Sequence, residues 1–351
     1  MTITLSGFAI LLGAAAVRVS SRTFDAAIVG WTFAYGLAVI VAIMEKYFGF
    51  VPQNSFLVLR GYALESVGLS SLFGNPNAFA LFLLASSVVF MPYAVSARRP
   101  IVRVLYYALQ LSTLYFMIES GSRTGLTCLL VVMVITLWHL LHKRDLARML
   151  LILVVIALVA VQALTASGTA FFNDLRENSL FTSDDGSFLL RFNLVRNGLL
   201  FASESPLIGI GPDQYEAHML TRQDLYPTSF IINPHNGFVE MLSQYGIVVF
   251  LLFVLFLLQT AVSAWKLMRS ASSKRDKAYM VGQAQLLLIV LLPFASTMHS
   301  TFLGAPGAWL YLFALIALGR MAPVGEAATQ SPELLRSTSG SVSVPAQGRH
   351  V

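Results

Sequence analysis

Long apolar runs recur along this chain, and they limit what it can fold into more than any other feature. Each run is about 17 to 25 residues long, which is enough for a helix to cross the ~30 Å hydrocarbon core of a bilayer. Only 11% of the 351 residues are charged, against roughly 25% in soluble domains. The sequence therefore predicts an all-α, polytopic integral membrane bundle of about nine transmembrane helices. We place these spans at 1–17, 24–44, 76–96, 101–119, 124–142, 147–165, 237–262, 279–299 and 305–320.

Lysine and arginine residues gather in every second connection between these spans and in the C-terminal tail. Basic side chains favour the cytoplasmic side of a membrane, so we expect these connections to be cytoplasmic. The N-terminus then lies outside and the C-terminus inside. The net charge of +6 reflects this topology and attraction to the lipid bilayer, and we expect no nucleic acid partner. The residues concerned are Arg18, Arg22, Arg98, Arg99, Arg103, Lys143, Arg144, Arg148, Lys266, Arg269, Lys274, Arg275, Lys277, Arg320, Arg336 and Arg349.

The connections on the opposite side suggest where function lies. Segment 166–236 is too long for a structureless loop in a compact protein, so we expect it to form a small extracytoplasmic, helical cap. The first six spans then occupy 1–165 and the last three occupy 237–320. Residues 321–351 are poor in large apolar side chains and rich in Ser, Pro, Ala and Gly, which predicts a disordered cytoplasmic tail.

Three arginines on the predicted outer side are candidates for binding an anion. Arg123 begins the fifth span, where unpaired backbone N–H groups at a helix N-terminus favour phosphate. The alternative for Arg123 is a plain salt bridge to Glu119. Arg191 and Arg196 lie in the cap, five positions apart, or about 140° around a helix. They cannot both face one site closely, and the sequence leaves open which of them does.

A histidine at the start of the seventh span is the best candidate for proton transfer. Pro234 precedes His235, Asn236 follows it, and Glu240 lies five positions further on. An imidazole can act as a base near neutral pH, although it could equally serve as a helix cap. Gly246 would allow another helix or a ligand to approach closely. We treat Asn236, Glu240 and Gly246 as supporting residues.

Two asparagines form a similar outer rim at the third span. Asn75 and Asn77 flank Pro76, and they could support the site, although such residues more often terminate turns and cap helices. The chain contains no HExxH or DxD pattern, so we expect no metal and no other cofactor.

Three ordered segments resemble the O-antigen ligase and polymerase superfamily of bacterial envelope glycosyltransferases. They read SGSRTGL at 120–126, RFNLVRNGLLFASESPLIGIG at 191–211 and NPHNGFVEMLSQYG at 233–246. The last contains a histidine and a glycine separated by ten residues, a pattern associated with the ligases. GNPNAFA at 74–80 is a weaker fourth match.

The resemblance implies a metal-independent, inverting glycosyltransferase. Such enzymes move a glycan from an undecaprenyl diphosphate, or a similar polyprenyl diphosphate, to an acceptor hydroxyl on a glycan, a lipid such as lipid A-core, or a protein. Arg123 and Arg191 match the arginines that bind the donor pyrophosphate, and His235 matches the catalytic histidine.

One departure affects the cap arginine. The family's aromatic residue four positions after that arginine is Val195 here, and Arg196 heads a second match that ends at Leu200.

The acceptor and the class of protein also have alternatives. A polysaccharide polymerase and a protein O-oligosaccharyltransferase of the same superfamily are alternatives to a ligase. A flippase is less consistent with the sequence, because the charged residues avoid the middle of the predicted spans.

Overall fold

The computed structural model describes residues 21–50, 68–140, 187–273 and 276–319. Within these ranges the regular structure is helical, with no β-strand. A single 3-10 turn covers Ser71–Phe73. The α-helices, in chain order, are α1 Ser21–Phe48, α2 Pro76–Ser96, α3 Pro100–Glu119, α4 Arg123–Leu140, α5 Ser187–Glu204, α6 Gln214–Thr221, α7 Gly237–Ser270, α8 Lys277–Ala295 and α9 Pro306–Gly319.

Seven of the nine predicted spans fall on helices of the described residues. Five of these helices, α1, α2, α3, α7 and α8, are long and apolar enough to cross a membrane, and α4 and α9 contain shorter apolar helices. The fold class, a polytopic helical membrane protein, is thereby confirmed. The predicted spans 1–17 and 147–165, the cap segment before residue 187 and the tail 321–351 lie outside the described residues.

Helix α2 forms the centre of the bundle. It is apolar on all sides and almost wholly buried, because helices α3, α4, α8 and α9 pack around it. A helix without a polar face is stable only when neighbouring helices or lipid surround it. Aromatic rings join α1 to this centre: Trp31 stacks on Phe82 with 5.6 Å between ring centroids, and its Nε1 donates to Ser86 Oγ at 3.0 Å.

The two ends of the bundle differ in chemistry. At one end, Lys277 of α8 forms a salt bridge with Asp25 of α1, and Arg103 Nη2 donates to the Ala97 carbonyl at 2.8 Å. At the other end, Glu45 is 3% exposed, and its carboxylate accepts hydrogen bonds from the backbone of Ser70 and Ser71. We call these the basic end and the opposite end. The chain connections place the loop between α8 and α9 and the first turns of α2, α4 and α7 at the opposite end.

Helix α7 contains the predicted span 237–262, and it has two features that the sequence did not indicate. The helix is longer, and it breaks at Gly246, where φ is 77° and ψ is 177°. In an unbroken helix the Ser243 carbonyl would accept from the Ile247 N–H four residues on. Instead it accepts from Ile210 N at 2.8 Å, and Ile247 N donates to the Pro206 carbonyl at 2.8 Å.

The segment 205–211 after α5 fills this break, and two glycines permit the approach. Gly211 N donates to the Gln244 carbonyl at 3.1 Å. A Cβ on Gly209 would lie 2.5 Å from the Gln244 carbonyl oxygen, and a Cβ on Gly246 would lie 2.6 Å from Ile208 N. We call the contact between segment 205–211 and the break the Gly246 lock. It fixes the end of α5 against the first turns of α7.

We predict that Gly246→Ala destabilises the protein by at least about 2 kcal/mol, because alanine strains a positive φ and its Cβ meets the backbone of the lock. The thermal unfolding midpoint of the purified protein in detergent measures this effect. Gly30→Ala on α1 is the matched control, since no atom lies within 4 Å of the added Cβ. Equal midpoints for the two variants would contradict the lock.

Candidate active site

A cavity of about 210 Å³ lies at the opposite end of the bundle. Three parts of the chain form its wall: the start of α6, the first turns of α7 with the turn before them, and the loop between α8 and α9. The wall residues that matter here are Asp213, Glu216, Pro234, Glu240, Gln244 and Tyr245. A concave site with a few convergent polar groups is the usual form of a binding or catalytic site.

His235 is not itself part of the cavity wall, but it follows the buried wall residue Pro234 directly in the chain. Its backbone has a φ of 46°, and its N–H donates to the Ser300 carbonyl at 2.9 Å. The imidazole is partly buried, and it makes no hydrogen bond to any residue that the structure describes. Burial lowers the pKa of His235 to about 4, and the positive charge of Arg191 and the neighbouring imidazole of His299 contribute to the same shift. The ring is therefore neutral at physiological pH and can accept a proton.

Asn236, rather than His235, caps helix α7. The Asn236 Oδ1 atom accepts hydrogen bonds from Phe238 N at 3.0 Å and Val239 N at 3.1 Å. This pair of bonds satisfies two of the free N–H groups at the start of the helix. Asn236 therefore has the structural role of capping the helix, and the His235 ring is not needed for that role.

Glu240 connects α7 to the loop between α8 and α9. The side chain is 3% exposed, and Oε2 accepts from Phe302 N at 2.6 Å and Leu303 N at 3.4 Å. Oε1 makes no hydrogen bond among the described residues. A buried carboxylate needs such partners, so Glu240 holds the loop whose Ser300 carbonyl binds the His235 backbone.

The two cap arginines have different surroundings. Arg191 lies close enough to His235 for its charge to lower the histidine pKa, and its guanidinium makes no hydrogen bond or ion pair within the described ranges. The Arg196 guanidinium instead stacks on the Tyr226 ring, 3.6 Å from the centroid. Such cation–π stacking occupies the face of the guanidinium.

Arg123 does not form the salt bridge to Glu119 that was one expectation. Glu119 pairs with Lys46 instead. The Arg123 side chain is exposed and makes neither a hydrogen bond nor an ion pair with a described residue. Helix α4, which Arg123 begins, contacts the loop between α8 and α9 that lines the cavity. A Cβ on Gly125 of this helix would lie 2.8 Å from Met298 Cε in that loop.

The remaining supporting candidates have structural tasks or lie elsewhere. Asn75 caps α2, since its Oδ1 accepts from Asn77 N at 2.8 Å and Ala78 N at 3.3 Å. The Asn77 side chain is exposed, and neither asparagine lines the cavity. Gly246 belongs to the lock rather than to the cavity wall.

Sequence reasoning missed several polar residues of the cavity wall. Asp213 and Glu216 come from α6 and its preceding turn, and Gln244 lies one turn beyond Glu240. Glu216 accepts a hydrogen bond from the Asn233 amide and so holds the turn before His235. The sequence contains one signal for these residues. Glu240 and Gln244 are four residues apart and so lie on the same face of the helix, which could have indicated that both line one cavity.

Three carboxylates line this cavity, yet they do not form a metal centre. Within the described ranges, no three His, Cys, Asp or Glu residues lie in an arrangement that could hold a metal ion.

These features define a polytopic helical membrane protein with a polar, titratable cavity at one end. Residues 107–254 match the model of the O-antigen ligase family, a range that contains Arg123, Arg191, Arg196 and His235. The resemblance read from the sequence motifs is thereby confirmed.

The chain is also 25% identical over 272 residues to the teichuronic acid biosynthesis protein TuaE of Bacillus subtilis (strain 168). That match covers 70% of this chain and 55% of the relative, so the chain spans about half the length of that protein.

We predict that His235 reacts with diethyl pyrocarbonate almost as fast at pH 5.5 as at pH 7.5, because a ring with a pKa near 4 is neutral at both. An ordinary histidine with a pKa of about 6.5 would react at about a tenth of the rate at pH 5.5. Mass spectrometry of the peptide containing His235 measures the ratio, and the denatured chain is the control.

The variant Arg191→Gln extends this measurement. Removal of the Arg191 charge should raise the pKa of His235, so the rate at pH 5.5 divided by the rate at pH 7.5 should fall. If the folded wild-type protein reacted at pH 5.5 at only about a tenth of its rate at pH 7.5, the lowered pKa of His235 would be contradicted.

Proposed function

We propose that this protein is an O-antigen ligase-like glycosyltransferase of a bacterial inner membrane. It moves a glycan from a polyprenyl diphosphate to an acceptor hydroxyl on the extracytoplasmic side, with inversion and without a metal. The N-terminus lies outside and the C-terminus lies in the cytoplasm. The family match and the membrane helices support this proposal.

The observation that carries the proposal is the state of His235. A neutral imidazole without a hydrogen-bond partner among the described residues stands beside an open polar cavity, within electrostatic reach of Arg191. A general base must be unprotonated before the reaction, and it must have a free nitrogen for the incoming proton. His235 meets both requirements, and Asn236 already provides the helix cap.

The donor diphosphate would lie on the arginine side of this histidine. Arg191 and Arg123 both present guanidiniums without a hydrogen bond or ion pair in the described parts of the chain, whereas Arg196 stacks on Tyr226. Fixed guanidiniums stabilise the negative charge that grows on a leaving phosphate. We therefore assign donor binding to Arg191 and Arg123 and a supporting role to Arg196.

The reaction then balances without any further reactant. The acceptor oxygen attacks the anomeric carbon of the glycan, and the bond from that carbon to the diphosphate oxygen breaks. The electron pair leaves with the polyprenyl diphosphate, and the hydroxyl proton moves to the free nitrogen of His235. Energy comes from the diphosphate linkage, so no nucleotide is required.

A polymerase is the second candidate, in which the acceptor is another lipid-linked repeat unit. The relative named for teichuronic acid biosynthesis favours this variant of the reaction. A protein hydroxyl is a further acceptor compatible with the same site. A flippase fits less well, since the charged side chains of the described spans lie in the end turns rather than near the bilayer centre.

We predict that glycan transfer by the reconstituted protein falls at least about 100-fold in His235→Asn, because asparagine tolerates the positive φ but cannot serve as the base. Transfer from a polyprenyl-diphosphate-linked glycan to a panel of acceptors, followed by mass spectrometry, measures the rate. A chelator should leave the wild-type rate unchanged. Activity that survives His235→Asn would remove this residue from the chemistry.

The matched pair Arg191→Gln and Arg196→Gln separates the two cap arginines. We predict a loss of about 100-fold in kcat/KM for the donor in Arg191→Gln. The loss in Arg196→Gln should stay below about tenfold, because that side chain is engaged with Tyr226. A larger loss in Arg196→Gln than in Arg191→Gln would instead assign donor binding to Arg196.

A further inference from the structure

The cavity contains a polar side chain that the protein leaves without a partner. Gln244 is 4% exposed, and its Oε1 is buried with no hydrogen bond to any described residue. Its Nε2 makes none either, although the Gln244 main-chain carbonyl is used by the Gly246 lock. A buried amide without partners is unfavourable for stability, and this amide belongs to the wall of a cavity that can admit a ligand.

The charges on the cavity wall indicate which ligand chemistry fits. Asp213, Glu216 and Glu240 all line it, and Glu240 retains one oxygen free of hydrogen bonds in the described structure. Carboxyl oxygens accept hydrogen bonds, and Asp213 and Glu216 are the acidic groups that make this wall unfavourable for an anion. The wall therefore repels a diphosphate and attracts groups with hydroxyl hydrogens.

The size of the cavity limits the ligand further. A volume of about 210 Å³ is smaller than the roughly 300–1,000 Å³ of pockets that bind drug-sized ligands, so the cavity suits a ligand of the size of one sugar ring. Tyr245 adds a ring and a hydroxyl to the same wall, and that hydroxyl makes no hydrogen bond to a described residue.

We infer that this cavity is the acceptor subsite and binds an uncharged, hydroxyl-bearing sugar ring through the Gln244 amide and the free oxygen of Glu240. The inference rests on the proposed function and adds to it the chemical class of the acceptor. Pro234 belongs to the cavity wall and His235 follows it, so a hydroxyl bound in the cavity lies beside the base. The donor and acceptor thus occupy regions of opposite charge on either side of one histidine.

The first test is donor-free binding of neutral methyl glycosides of glucose, galactose and N-acetylglucosamine, measured by saturation-transfer NMR on the full chain in nanodiscs. We expect binding to the wild type and at least about tenfold weaker binding to Gln244→Leu. Gln283→Leu on α8 is the matched control, because Gln283 Oε1 is also buried without a partner but lies outside the cavity wall. It should bind like the wild type.

Folding provides a separate check on these variants. Replacement of an unpartnered buried amide by leucine should leave the thermal midpoint equal or higher. A lower midpoint in Gln244→Leu, with unchanged glycoside binding, would show a purely structural role and overturn the inference. Equal loss of binding in Gln283→Leu would overturn it as well.

The kinetic test distinguishes failure of the inference from failure of the proposed function. In glycan transfer, Gln244→Leu should raise the acceptor KM at least about tenfold and leave the donor KM unchanged. Transfer by the wild type with an unchanged acceptor KM in the variant would overturn the subsite and leave the function standing. If the wild type transfers no glycan, the proposed function fails, whereas the binding experiment still decides whether the cavity holds a sugar.

A charge variant tests the selection against anions. Asp213 has a φ of 60°, a conformation that asparagine tolerates, so Asp213→Asn removes charge with little strain. We expect the affinity for methyl glucoside 6-phosphate, relative to that for methyl glucoside, to rise at least about threefold in Asp213→Asn. Asp224→Asn, which removes the same charge from a residue that pairs with Arg222, should have no such effect. If both variants changed the binding of the phosphorylated glycoside equally, the role of Asp213 in excluding anions from the cavity would be contradicted.

Discussion

The break in α7 at Gly246 is the constraint on which the site depends. Buried backbone N–H and C=O groups need hydrogen-bond partners, and Ser243, Gln244 and Gly246 are buried. The break frees the carbonyls of Ser243 and Gln244, and Ile210 and Gly211 supply the missing donors. The end of α5 is thereby fixed against α7, although more than thirty residues of chain separate the two partners. Arg191 lies on α5 and His235 lies in the turn immediately before α7, so this contact joins the two segments that carry them.

Two buried carboxylates hold the other loops at the same end of the bundle. Glu45 accepts from the backbone of the segment before α2, and Glu240 accepts from the backbone of the loop before α9. A buried carboxylate is tolerated only when its charge is compensated by hydrogen bonds. In both cases the acceptor lies on a rigid helix and the donors lie on a loop. Polar residues near the ends of the spans therefore mainly fix the loops by hydrogen bonds. The candidate site consists of the polar groups that these hydrogen bonds do not use.

This double use of polar residues explains what the sequence could and could not predict. The spans at 76–96 and 101–119 match α2 and α3 almost residue for residue, because apolar runs and the prolines at their starts are local signals. Asn75 and Asn236 were candidates for the site, but a cap and a ligand have the same sequence signature. The partners of Gly246 and the wall position of Gln244 depend on contacts between distant segments, which spacing along the chain does not reveal.

The placement of charges around His235 links base strength to donor binding in the proposed reaction. Burial lowers the pKa of the ring, and the positive charge of Arg191 contributes to the same shift. A diphosphate bound to Arg191 would neutralise that charge, so the pKa of His235 would rise and the ring would become a stronger base. An uncharged acceptor in the carboxylate-lined cavity leaves this effect intact, whereas an anionic one would compete for the same arginine. The histidine would thus gain proton affinity at the stage when the leaving group is in place.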